Sequence, residues 1–300
     1  MRSLLLCTGS VAALCAAACH NSEAPPLPPI GGRVAFVSDR GRTGLQYDIF
    51  AMNADGTALV NLTDSLAYDD WPAWSPDGSK IAFQSDRSAV ADARDTLDVY
   101  VMHADGSNVV QLTRDTTQEG EPAWSPDGTK IAFVSNRGGK NHIYTMNATD
   151  GTGVDTLTSG LQTDAQPVWS PDGTRIAFAT NRDGNEEIYV MNASGTNPVN
   201  LTKHPGLDVA PVWSPDGSKI AFMSSRSGNS LQVFVMNADG TGVVQVTSAA
   251  ADAEYPSWSP DGAHLAFDRG GDVWLVMPDG SDLRQITGGN AADYFARWRP

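Results

Sequence analysis

Cysteine is nearly absent from this chain: its three copies, Cys7, Cys15 and Cys19, all fall within the first nineteen residues. The remainder has no thiol pair from which to build a disulfide or a thiolate metal site, so its stability must come from packing. Charge is sparse as well, at 18% of residues, and cations are the scarcer sign: 20 Lys and Arg against 35 Asp and Glu leave a net charge of −15. A polyanion of this kind repels nucleic acid and anionic lipid headgroups, since both demand a basic surface. Beyond the N-terminus no apolar run approaches transmembrane length. Familiar catalytic patterns are missing too: there is no Gly-x-Ser-x-Gly elbow, no His-Glu-x-x-His and no phosphate-cradling Gly-x-x-x-x-Gly-Lys. The five histidines (His20, His103, His142, His204, His264) fall at different points of the sequence pattern, which argues against a shared metal cluster.

What the chain has in quantity is turn chemistry, with 29 Gly and 18 Pro. That balance favours many short strands over long helices. Self-similarity then decides the fold. Trp-Ser-Pro-Asp-Gly begins at Trp74, Trp124, Trp169, Trp213 and Trp258, and a truncated sixth copy is Trp298-Arg299-Pro300. An Ile-Ala-Phe-like strand recurs at Val34 to Phe36, Ile81 to Phe83, Ile131 to Phe133, Ile176 to Phe178, Ile220 to Phe222 and Leu265 to Phe267. Runs ending at Met52, Met102, Met146, Met191, Met236 and Met277 follow, each leading into a Gly-containing turn, and a Leu-Thr-like strand closes each unit. Four short antiparallel strands per repeat make one propeller blade, whose faces are buried only when neighbouring blades pack on both sides. In Ser-Pro-Asp-Gly, Pro presets φ, Asp suits the second turn position and Gly supplies the left-handed conformation that reverses a hairpin. The first blade opens on its second strand at Gly31, whereas the chain stops after an orphan Trp strand. The two fragments complete one blade. The fold class is therefore all-β: a six-bladed β-propeller over residues 31–300, closed by pairing of the C-terminal strand with the N-terminal blade.

Residues 1–19, MRSLLLCTGSVAALCAAAC, carry one Arg, a short apolar stretch and then small residues, which reads as a secretory signal. Ala16-Ala17-Ala18-Cys19 resembles the lipobox of bacterial lipoproteins. That resemblance implies cleavage before Cys19 and a lipid on its thiol, with the Pro-rich residues 20–30, HNSEAPPLPPI, as a semi-extended tether from the membrane.

The repeat itself resembles that of the TolB-type propellers. The closest copy runs from Asp164 to Thr202 and contains Asn181-Arg182-Asp183-Gly184-Asn185-Glu186-Glu187-Ile188-Tyr189. The resemblance implies a six-bladed propeller of the bacterial envelope that contacts peptidoglycan-associated lipoproteins. The family's namesake also carries an α/β domain, where this chain has only the Pro-rich stretch before its first blade.

Two sets of residues are candidates for function. An acidic residue stands three places before the Pro of each Trp strand, at Asp69, Glu119, Asp164 and Asp208; Asp293 lies at the same distance ahead of its Trp, and the fifth copy shifts the position to Asp252. As the first strand of each blade lines the central channel, six carboxylates would ring one tunnel mouth and could hold a cation such as Ca²⁺ or the basic end of a partner. The alternative is that each carboxylate pairs with a repeat arginine: Arg40, Arg87, Arg137, Arg182, Arg226 or Arg269. The second set follows from strand direction. Ser-Pro-Asp-Gly and Asn-Ala-Asp-Gly turns share one nearly invariant face, while the loops from strand two to three and from blade to blade share the other. From the Arg to the third-strand aliphatic, the spacing on that second face runs 9, 12, 6, 6, 7 and 4 residues. Binding residues favour variable loops on a rigid scaffold, which singles out Tyr68, Asp70, Trp71, Arg114, Lys203, His204, Tyr255 and Tyr294. The six repeat Trp residues read as packing between sheets or as channel-wall filler, not as a ligand cage.

The leading reading is a non-enzymatic interaction module, periplasmic or anchored in the outer membrane through its lipid, that binds an envelope protein or a peptide. The competing reading is enzymatic. Similar propellers occur in oligogalacturonate lyases and prolyl oligopeptidases, and the acidic ring could hold a catalytic cation; a third option is a Ca²⁺ or small-ligand sensor.

Overall fold

A computed structural model describes residues 31–42, 46–87, 96–228 and 230–300. The expected signal segment 1–19 with Cys19, and the tether 20–30, lie outside the described residues. Among the described residues every regular element is a strand, and the 24 strands form six four-stranded antiparallel sheets. Blade 1 comprises β1 (Arg33–Ser38), β2 (Asp48–Asn53) and β3 (Val60–Asn61), with β24 (Asp293–Trp298) as its innermost strand. Blade 2 is β4 (Asp69–Trp74), β5 (Lys80–Ser85), β6 (Asp98–His103) and β7 (Val110–Gln111). Blade 3 is β8 (Glu119–Trp124), β9 (Lys130–Ser135), β10 (His142–Asn147) and β11 (Asp155–Thr156). Blade 4 is β12 (Asp164–Trp169), β13 (Arg175–Thr180), β14 (Glu187–Asn192) and β15 (Val199–Asn200). Blade 5 is β16 (Asp208–Trp213), β17 (Lys219–Ser224), β18 (Gln232–Asn237) and β19 (Val244–Gln245). Blade 6 is β20 (Glu254–Trp258), β21 (Leu265–Arg269), β22 (Asp272–Val276) and β23 (Arg284–Gln285).

The Ile-Ala-Phe strand is the second in each blade, and its position explains its composition. Sandwiched between neighbouring sheets, it must be apolar on both faces. Phe36, Phe83, Phe133, Phe178, Phe222 and Phe267 are each 0% exposed. Small Ala between Ile and Phe lets the next sheet approach, and all six of those alanines are buried. The ring closes as the sequence predicts: β24 pairs antiparallel with β1, matching Val34 to Trp298 and Ser38 to Asp293. The inner strands touch around the full circle, β24 against β4 and β20 included.

Two devices lock blade to blade. Several repeat indoles donate Nε1–H to a backbone carbonyl on the preceding blade's inner strand: Trp74 to Arg297 at 3.1 Å, Trp124 to Ala73 at 3.1 Å and Trp258 to Val212 at 3.3 Å. The glycine of the Asn-Ala-Asp-Gly turn seats on the outermost strand of the preceding blade. A Cβ at Gly106 would lie 2.2 Å from the Leu62 carbonyl oxygen, and one at Gly151 would lie 2.1 Å from that of Leu112. Their φ angles of 86° and 72° already favour glycine, so the turn has two reasons to keep it.

Removal of residues 293–300 deletes β24 and leaves β1 an unpaired edge. We expect loss of the cooperative thermal transition, or concentration-dependent association through β1, read by circular dichroism and gel filtration; an unchanged melt would show that the ring does not depend on the pairing. Gly106→Ala is expected to lower stability by at least about 1–2 kcal/mol from its left-handed backbone alone, measurable by urea denaturation.

Candidate functional site

Five of the six acidic residues are buried. Asp69, Asp164, Asp208 and Asp293 are 0% exposed and Glu119 is 1% exposed. Each is gripped inside its own blade by the arginine two residues beyond the second strand's Ser or Thr. Arg87 reaches Asp69 at 2.7 Å, Arg182 reaches Asp164 at 2.8 Å, Arg226 reaches Asp208 at 2.8 Å and Arg137 reaches Glu119 at 3.2 Å, while Arg40 closes on Asp293. These guanidinium groups also lie over the strand-two Phe and, in most blades, a strand-three aromatic; Arg87, for example, sits 4.9 Å from the Phe83 centroid and 5.2 Å from that of Tyr100. A carboxylate this deeply buried needs such a partner, so the arginine-paired alternative describes the geometry and the cation-binding ring does not. Asp252 is a further correction. It is exposed and accepts the Leu231 N–H at 2.7 Å, while the register of β20 against β21 puts Ala253 where the other blades have the acid. Arg269 correspondingly has no carboxylate partner among the described residues and rests over Phe267 and Trp274.

The tunnel is lined by a different position of the same strands. Each inner strand carries a bulge, so that two residues oppose one on the second strand. The first of the pair adopts a left-handed backbone without being glycine: Trp71 (φ 50°), Glu121 (53°), Gln166 (54°), Ala210 (52°), Tyr255 (50°) and Phe295 (54°). Six repetitions of a conformation this costly mark a designed feature. The bulge frees the residue's own N–H, and side chains of the preceding blade accept it. Gln84 Oε1 accepts from Glu121 (2.9 Å), Glu121 Oε2 from Gln166 (2.5 Å), Gln166 Oε1 from Ala210 (2.7 Å) and Asp268 Oδ2 from Phe295 (2.6 Å).

This layer divides the tunnel into halves. Trp71, Tyr255 and Phe295, on adjacent blades, pack against one another with centroids 4.2–5.7 Å apart and fill one side. On the other side Trp71, Glu121, Gln166 and Ala210 bound a cavity of about 330 Å³ that continues past a layer of prolines (Pro72, Pro122, Pro167, Pro211, Pro256) and the repeat indoles to Pro76 and Pro300. The cavity thus extends toward the face of the invariant turns. Burial pushes the Glu121 carboxyl up to about 7, with the Gln166 N–H pulling the other way. Burial does the same to Asp70, also to about 7, and raises Asp268 well above the usual range.

Of the loop-face candidates, Trp71 and Tyr255 belong to this tunnel layer, a correction to their expected place on exposed loops. Asp70 is buried beside them. Tyr68 and Tyr294 are half-buried at the same mouth, each in edge contact with Tyr47 at 5.5 and 6.4 Å. Burial raises the Tyr68 hydroxyl far above its ordinary value, with Asp70 adding to the shift. Arg114 and Lys203 do not join the cluster; they stand exposed just beyond the outermost strands β7 and β15. His204 is a loop organiser, its N–H on Glu187 at 2.9 Å and its Nδ1 accepting the Gly206 N–H at 2.9 Å. His142 is buried between Asp164 and the Gly160 carbonyl. Among the described residues no three His, Cys, Asp or Glu side chains are grouped to hold a metal. Sequence reasoning missed Glu121, Gln166, Ala210 and Phe295. The available signal was the residue three places before each repeat Trp, which precedes a Pro in every copy but the last (Ala296) and changes character in every blade.

Twenty-four strands in six closed blades around a half-filled tunnel define a six-bladed β-propeller with an internal pocket. The profile of the TolB beta propeller domain matches residues 89–166 and 156–300, and the chain belongs to that family. Among solved structures, TolB from Acinetobacter baumannii superposes with a TM-score of 0.76 at 24% identity, over 90% of this chain and 67% of that one. A protein from Agrobacterium tumefaciens described as a TolB gives 0.68 at 22%, over 90% and 100% of the two chains. An oligogalacturonate lyase in complex with manganese gives 0.58 at 14%, over 86% and 74%. At these identities the likeness is one of fold. No curated protein sequence matches significantly.

Asp69→Ala leaves Arg87 without its buried partner and is expected to cost about 3–5 kcal/mol; Asp69→Ala with Arg87→Leu should cost less than the two separate losses added, as read by a double-mutant cycle in urea. For Glu121 the folded value near 7 exceeds the unfolded value near ~4, so stability is fully present below pH ~4 and is lost as pH rises toward 7. Glu121→Gln, which cannot ionise, should raise the melting temperature at pH 8, change it little at pH 4.5, and so flatten the profile between them.

Proposed function

We propose that this protein is a non-enzymatic interaction module of the bacterial envelope whose variable-loop face receives a protein or peptide partner. One observation carries the reading. Leu66 (82% exposed), two residues from Tyr68, and Leu161 (93% exposed) both lie in blade-to-blade connections of that face. Exposed large aliphatics beside aromatic groups on a rigid frame are what a protein partner buries. The acidic surface disfavours nucleic acid as that partner. Export through residues 1–19, lipidation of Cys19 and a periplasmic or outer-membrane location belong to the same proposal, supported by the lipobox-like Ala16-Ala17-Ala18-Cys19 and by membership of the TolB beta propeller family. The enzymatic alternative draws less support, because the carboxylates that would have held its cation are engaged by arginines.

Affinity capture from bacterial envelope extract should recover a specific protein with the wild-type chain and much less of it with Leu66→Ser/Leu161→Ser. Equal recovery by the two would remove the loop face from the binding site. Palmitate labelling in cells, expected for wild type and abolished by Cys19→Ala, checks the anchor.

A further inference from the structure

The open half of the tunnel has a chemistry that the loop-face reading does not use. Its walls are apolar, made of proline rings and indoles, and its space exists because Ala210 occupies a position that carries Trp, Glu, Gln, Tyr or Phe in the other blades. Into this space Glu121 brings a carboxylate. Oε2 is taken by the Gln166 N–H, whereas Oε1 receives no hydrogen bond from the described residues. Among the described residues no Lys, Arg or His acts on it; the charged groups coupled to it, Glu186 and Asp70, are both of the same sign. The remaining ionic group of the cavity wall, Arg297, is already directed elsewhere, donating to the Tyr255 and Ala296 carbonyls at 3.3 and 3.0 Å and attracted to Asp268. Beside Glu121 in the ring stands Trp71, an aromatic surface of the kind that attracts cations. A partly buried carboxylate with no cationic partner is relieved by a positive ligand, and a pocket of about 330 Å³ is at the small end of those that hold one.

We propose that the open half of the tunnel binds an alkylammonium group, its charge against Glu121 with the Trp71 ring beside it and its hydrocarbon stem along the prolines. The group belongs either to a free organic amine or to a lysine side chain inserted from a partner. Selectivity follows from the walls: a neutral alcohol of the same length fills the apolar space and leaves the carboxylate uncompensated, while a carboxylic acid is repelled. The site is independent of the loop face, since it lies deeper and opens toward the invariant turns.

The test is titration of the full propeller with n-pentylammonium, 1-pentanol and a capped Gly-Lys-Gly peptide, followed by NMR of the tryptophan indole N–H signals at pH 8. Wild type should bind pentylammonium at least about tenfold more tightly than pentanol, an electrostatic preference of the size a desolvated cation site supplies. Glu121→Gln should abolish that preference while still taking up pentanol, which shows that the variant is folded and the pocket intact. Because a proton competes for the same carboxylate, wild-type affinity for the amine should fall as pH drops from 8 to 5.5, and the variant's should not. Binding of the peptide as well as the amine assigns the group to a lysine side chain; binding of the amine alone assigns it to a small ligand. Equal affinity for pentylammonium in wild type and Glu121→Gln, or binding of neither amine nor peptide, overturns the proposal. Partner capture is expected to survive Glu121→Gln, and amine binding to survive Leu66→Ser/Leu161→Ser, so the two readings fail separately.

Discussion

A four-stranded blade with apolar side chains on both faces cannot exist alone in water, and everything else in this molecule follows from that constraint. Phe83 at the centre of blade 2 is fully buried only because blades 1 and 3 cover its sheet. The same holds for its five counterparts, so the blades must form a ring in which each is both cover and covered. Once closed, the ring leaves only two-residue outer strands as edges, too short to template pairing with another chain. With no disulfide available among residues 31–300, this mutual burial, sealed by β24 on β1, is what holds the fold.

The buried ion pairs act within that frame as registration pins. Carboxylate, Ser or Thr, guanidinium and aromatic rings recur in blades 1 to 5, tying the inner strand to the loop after the second strand. A buried pair of this kind is a poor source of net stability, yet breaking it by removing one partner is costly. Blade 6 shows what happens without one. Its turn between β21 and β22 is the tightest of the six, Arg269 falls at the position held elsewhere by Ser or Thr, and Ala253 replaces the acid. Tyr47, Tyr68, Tyr255, Tyr294, Trp71 and Phe295 gather across blades 6, 1 and 2.

The fold was legible because each element is written in its own local chemistry: Pro-Asp-Gly for the turn, Ile-Ala-Phe for the sandwiched strand, an orphan Trp strand for the closure. The site was less so. Reading Asp69 and its equivalents as tunnel residues rested on the inner strand as a whole lining the channel, and a bulge two residues later turns Trp71 or Glu121 into the lumen instead. Nothing in a linear pattern announces a bulge at non-glycine residues, because its cost is met by the packing of all six inner strands together. The arginine pairing could be anticipated from the repeat; the missing pair in blade 6 could not, since it depends on a register in which Arg269 stands two residues early and Ala253 takes the acid's place. Trp71 and Tyr255 were singled out as loop-face anchors, and the bulge carries both into the tunnel layer.

The seam between β1 and β24 also dictates an order of events. A chain made from its N-terminus onward presents β1 long before β24 exists, so one blade waits, half-built, while the other five accumulate against it. Until the final segment arrives, the nascent protein is an open arc with a sticky backbone edge and exposed phenylalanines, the type of intermediate that aggregates or recruits chaperones. A product stopped short of β24 would lack the pairing that joins the two ends of the ring.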